Sequence, residues 1–87
     1  RAALRRALAA GDVDVGELVA GDGDEAHERT ALRMTVTELL EASPATCERT
    51  VALAGAARLD TLNVRLGELT TARRRTLAAA IRLEARR

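Results

Sequence analysis

Along this chain, segments in which leucine, valine and alanine recur three or four positions apart alternate with short runs of glycine, aspartate, proline or threonine, a pattern that predicts successive helices. Residues 1–10 set Leu4 and Leu8 one turn apart among strong helix formers and stop at Gly11, which suits the left-handed position after a helix. Asp12 is placed to cap a second helix over residues 13–20, where Val15, Leu18 and Val19 keep helical spacing until Gly21-Asp22-Gly23-Asp24 interrupts it. A third helix over residues 25–33 would turn Ala26, Thr30 and Ala31 toward the core. Thr35 and Glu38 have the spacing of a capping box just ahead of Leu39 and Leu40. The helix they open should stop near Ser43, because Pro44 steers the residue before it away from helical geometry.

A fifth helix is expected over residues 47–58, with Val51, Ala52 and Ala56 on its packed side. Residues 59–69 read as two successive turns: Asp60, Asn63 and Gly67 supply turn chemistry, while Leu59, Leu62, Val64, Leu66 and Leu69 anchor the loop inward. Thr70 or Thr71 then caps a last helix whose Leu77, Ala80, Ile81 and Glu84 share a face, with Arg73, Arg74, Arg75 and Arg82 mostly outward. No period-two run predicts a strand. The expectation is an all-α fold: a small helical bundle in one domain over residues 1–87, with N-terminal helices in 1–33 and a helix-two-turn-helix unit in 34–87.

Composition narrows the chemistry. With no Phe, Tyr or Trp, every core side chain is small or aliphatic, and no base can be stacked on a ring, which argues against modules that read single strands by stacking. One cysteine, Cys47, excludes an internal disulfide, and one histidine, His27, leaves no zinc ligand set. The Asp22-Gly23-Asp24 string lacks the further acids of a calcium loop and reads as an acidic turn capping the next helix. No nucleophile elbow or phosphate-cradling glycine loop is present, so no enzyme activity and no cofactor are expected. No apolar run reaches the roughly 20 residues of a membrane span, and a soluble, cytoplasmic protein is expected.

All 14 basic residues are arginine, whose planar guanidinium matches a phosphate. They are unevenly placed. Residues 1–28 hold three arginines against seven acids, a balance of −4, whereas residues 29–87 hold eleven against six, a balance of +5, so the net +1 hides a bipolar chain.

The stretch Met34-Thr35-Val36-Thr37-Glu38-Leu39-Leu40-Glu41-Ala42-Ser43-Pro44 resembles the segment that leads into the DNA-binding unit of the actinobacterial integration host factors of mycobacteria and streptomycetes, including a methionine ten residues before the proline. The similarity extends upstream through residues 1–20 and downstream through Arg65-Leu66-Gly67-Glu68-Leu69 and the arginine-rich last helix. It implies a nucleoid-associated protein that holds duplex DNA by its phosphates with little sequence preference. Arg49, Arg58, Arg65, Arg73, Arg74, Arg75 and Thr46 are the residues it points to. After the proline this chain departs from the family's glycine- and lysine-containing turn, having Ala45, Thr46, Cys47 and Glu48 instead. Two other readings stay open: a paralogue that has shed DNA binding and uses its aliphatic surface to dimerise or dock on a protein, and an acidic first third that mimics phosphates or covers the chain's own basic face.

Overall fold

A computed structural model of the chain describes residues 1–86. Six α-helices and one 3₁₀ turn follow one another: α1 (Ala2–Ala10), α2 (Val15–Ala20), α3 (Glu25–Leu32), α4 (Val36–Ala42), α5 (Thr50–Ala56), the 3₁₀ turn Leu66–Glu68 and α6 (Thr71–Ala85). There is no strand among the described residues. The only extended pairing there is an isolated bridge between Thr35 and Arg65, and the all-α expectation holds.

Local chemistry accounts for most helix boundaries. Gly11 closes α1 at φ 80°, and the amides of Gly11 and Asp12 return to the carbonyls of Leu8 and Ala7. The Asp12 and Val13 amides both return to the Ala7 carbonyl, so these residues belong to the end of α1 and not to the start of the next helix. The cap of α2 is Asp14, whose carboxylate accepts from the amides of Gly16 and Glu17. Asp24 caps α3, and the Thr35–Glu38 capping box opens α4 with both reciprocal bonds formed. In α3 only Ala31 is fully buried; Ala26 faces solvent, and the half-buried Thr30 hydroxyl donates back to the Ala26 carbonyl.

The largest departure from expectation lies after Pro44. Residues 44–48 form tight turns, and α5 starts only at Thr50. Thr46 is the cause: its hydroxyl donates to the Leu40 carbonyl at 2.6 Å, satisfying an orphan acceptor at the end of α4 and folding the chain back on itself. The helix that follows is rotated from the expected face. Leu53 is buried and Ala57 beyond it nearly so, while Val51, Ala52 and Ala56 face solvent. Arg58 then adopts the left-handed conformation (φ 55°), and the Arg58 and Leu59 amides close α5 onto the Gly55 and Ala54 carbonyls.

The segment between α5 and α6 returns across the molecule to pair with the start of α4. Val36 and Thr37 donate to the carbonyls of Val64 and Leu62, and Leu66 donates to the Met34 carbonyl. Gly67 sits so close to α3 that a Cβ there would lie 2.9 Å from the Leu32 carbonyl oxygen. As expected, Leu59 and Leu66 are buried, with Leu62, Val64 and Leu69 packed partly against the core. α6, capped by Thr70, packs most extensively on α2 and then on α5. Its Leu77, Ala78, Ala80 and Ile81 join Leu4, Leu8, Leu18, Val19, Met34, Leu39 and Leu40 in one aliphatic core.

Candidate nucleic-acid interface

Arginines divide into those spent inside the protein and those left for a ligand. In an α-helix successive side chains are about 100° apart, so Arg73, Arg74 and Arg75 cannot share a face. Arg74 falls on the buried stripe with Ala78 and Ile81, and its side chain is only 18% exposed. Its Nε donates to the Val19 carbonyl at 3.0 Å and its Nη2 to Glu28 Oε1 at 3.1 Å, tying α6 to α2 and α3. Arg49 is similarly occupied: one Nη donates to the Glu84 backbone carbonyl at 2.7 Å and to the Glu84 carboxylate at 3.2 Å, fastening the start of α5 to the end of α6. Thr46 is 1% exposed and its hydroxyl is bonded to Leu40. As they stand, these three expected contacts hold the fold together, and none of them presents a free group to a phosphate.

Arg58, Arg65, Arg73 and Arg75 are exposed and have no ion-pair partner among the described residues. Arg73 lines a hollow of about 340 Å³ together with Leu59, Asp60, Thr61, Val64 and Glu68. Arg58 immediately precedes that lining segment in the chain and Arg65 immediately follows it, but of the three only Arg73 lines the hollow itself. Arg65 fixes the loop through its backbone, as the bridge partner of Thr35, and leaves its side chain unbonded. Asp60 and Glu68 share the hollow and lower its positive potential. Arg75, about 200° around the helix from Arg73, points to the other flank.

The acidic first third is folded onto the chain's own arginines. Glu28 pairs with Arg74, and Asp22 lies 3.8 Å from Arg82, both partners of that second pair being more than half exposed. On the surface of α1, Arg5 binds Glu38 while Arg1 donates to the Arg33 carbonyl. The Arg5 hydrogen bond, followed by the Thr35 amide of the capping box, holds the Glu38 carboxyl below the ordinary glutamate range. Cys47 is exposed, and no group of three or more His, Cys, Asp or Glu residues could hold a metal ion among the described residues. No helix there is long and apolar enough to cross a membrane.

Sequence reasoning could have separated Arg74 from its neighbours, since it stands four and seven residues before the apolar Ala78 and Ile81. Nothing local signalled Arg49, whose partner lies 35 residues away. Set against known proteins, the chain matches no protein-family model, no curated protein and no solved structure.

Proposed function

We propose that this chain binds duplex DNA through its phosphate backbone, with Arg58, Arg65 and Arg73 as the gripping cations and Arg75 as an accessory one. The observation that carries the reading is a set of exposed arginines without ion-pair partners among the described residues: Arg73 on the wall of the hollow at the N-terminus of α6, where backbone amides also favour an anion, with Arg58 and Arg65 flanking in sequence the segment that lines it. Two acids of the 21–28 segment are engaged by Arg74 and Arg82, which leaves Asp60 and Glu68 as the acids lining the hollow. The resemblance to actinobacterial integration host factors, a helix-two-turn-helix family, points the same way.

Contact with about three phosphates gives a salt slope near −3 and weak, sequence-tolerant binding. Fluorescence anisotropy of two unrelated duplexes, titrated from about 20 to about 200 mM salt, should give the same affinity for both and a slope of that size. The triple variant Arg58→Ala, Arg65→Ala, Arg73→Ala should lose most of the slope, and Glu68→Gln should raise affinity. Absence of binding at the lowest salt, or an unchanged slope in the folded triple variant, sinks the proposal.

A second reading, docking on a protein or on another copy, is favoured by α5. Val51 is 86% exposed there, beside exposed Ala52, Gly55 and Ala56. Sedimentation that depends on concentration and is abolished by Val51→Asp would support it.

A further inference from the structure

At the opposite end of α6 lies a second hollow that the nucleic-acid reading does not use. It opens where the end of α1, the start of α2, the 43–45 turn and the last turns of α6 meet, and its volume is about 340 Å³, within the size range of small-molecule sites. Leu8, Val13, Val15, Pro44 and Ile81 give it aliphatic walls, and three polar side chains join them: Ser43, Asp14 and Arg82.

Ser43 is 6% exposed, and its hydroxyl has no hydrogen-bond partner among the described residues, although its backbone carbonyl accepts from the Thr46 and Cys47 amides. The hydroxyl keeps some contact with solvent at the hollow it lines, so a ligand atom could meet it without breaking a bond inside the protein. Asp14 is fixed by its capping role: Oδ1 accepts from Gly16 at 2.8 Å, while Oδ2 is left without a partner. Arg82 passes beside Gly16, its Cγ 3.8 Å from where a Cβ would stand, and its Nη2 is 3.8 Å from Asp22, too far for a hydrogen bond. The mouth therefore carries one fixed anion and one cation held only by a loose, exposed ion pair with Asp22.

The geometry points to a binding site for a free aliphatic α-amino acid of about leucine's size. Its side chain fills the hollow, its ammonium meets Asp14 Oδ2, and its carboxylate takes Arg82 and the Ser43 hydroxyl. Charge complementarity selects the zwitterion, since a simple carboxylate would face Asp14 with nothing to offset it and a simple amine would face Arg82. This site is independent of the DNA reading, because none of its residues belongs to the arginine cluster at the start of α6.

Amide NMR shifts of the full chain, followed during titration with L-leucine, 4-methylpentanoate and 3-methylbutylamine, test the assignment. Leucine should give saturable shifts in residues 8–16, 43–45 and 81–85, with dissociation constants in the submillimolar to millimolar range. Ser43→Ala should unfold at the same temperature as the parent, because no internal bond is lost, yet bind leucine about tenfold more weakly. Arg82→Gln should weaken leucine about tenfold and strengthen the amine, which no longer faces a cation. No saturable shift below about 10 mM leucine would mean that the hollow is a hydration site only, and either single-charge analogue binding as tightly as leucine would equally overturn the proposal.

Discussion

Arg73 and Arg74 are neighbours in sequence with the same charge, yet the rotation of about 100° between successive helical residues gives them opposite employment. Removing Arg74 strands the Val19 carbonyl and leaves Glu28 without its partner in a half-buried setting. Arg74→Ala should therefore cost about 2–3 kcal/mol in urea unfolding, whereas Arg73→Ala should stay within about 0.5 kcal/mol; equal losses would show that Arg74 is not the inward one. Glu38 gives the residue scale a pH signature. Its carboxyl is held below its ordinary range by Arg5 and then by the Thr35 amide, so the folded state binds its proton less readily than the unfolded state. The stabilisation is therefore fully present at neutral pH, and it is lost as the pH falls below the ordinary glutamate pKa of about 4.3 and on through the lower folded value. Unfolding of Glu38→Gln followed from pH 7 to pH 3 should show a deficit at neutral pH that closes in acid, and a deficit constant with pH would refute this.

At the scale of elements, the caps were legible because each is a local event: Gly11, Asp24, Thr35 with Glu38, and Thr70 each act within four residues of themselves. The inward leucines of the 59–69 segment were legible for a similar reason, since nothing else in that stretch can enter an aliphatic core. What the pattern could not give was the phase of α5. Val51, Ala52 and Ala56 are apolar as Leu53 and Ala57 are, and the packed face goes with tertiary contacts: the Thr46 bond to Leu40 holds the turn ahead of the helix, and Arg49 fastens its start to Glu84 on α6. Among the arginines expected at the site, the exposure of Arg58, Arg65 and Arg73 follows from their places in the pattern, but the engagement of Arg49 by Glu84 depends on tertiary packing. Two glycines separate element from contact. Gly55 lies inside α5 with nothing within 4 Å of a would-be Cβ, so Gly55→Ala should stabilise the protein by about 0.4–1 kcal/mol. A Cβ at Gly67 would press on the Leu32 carbonyl, and Gly67→Ala should destabilise by about 1–3 kcal/mol. Thermal unfolding of the two variants should move in opposite directions.

For the whole molecule, the bipolar charge of the sequence becomes a partly self-neutralised surface: acids of the first third lie against Arg74 and Arg82, and the arginines bordering the 59–64 segment are left unpaired. The same packing that joins α6 to α2 and α1 to α4 interlocks the early and late helices, so neither half closes a core by itself. The return of residues 62–66 to residues 34–37 has a consequence for covalent continuity. Three backbone bonds close the neck of a loop whose chain runs through α4 and α5, and α6 beyond the neck is packed on α2. Peptide-bond integrity inside that loop is then dispensable for keeping the pieces together. Limited trypsin cleavage after the exposed Arg58 should leave two fragments that migrate as one particle in buffer and part only in denaturant, and separation under native conditions would show that the neck does not hold. A protein tied in this way should survive a cut at the exposed turn that carries Arg58, with the cut chain behaving as a two-piece complex.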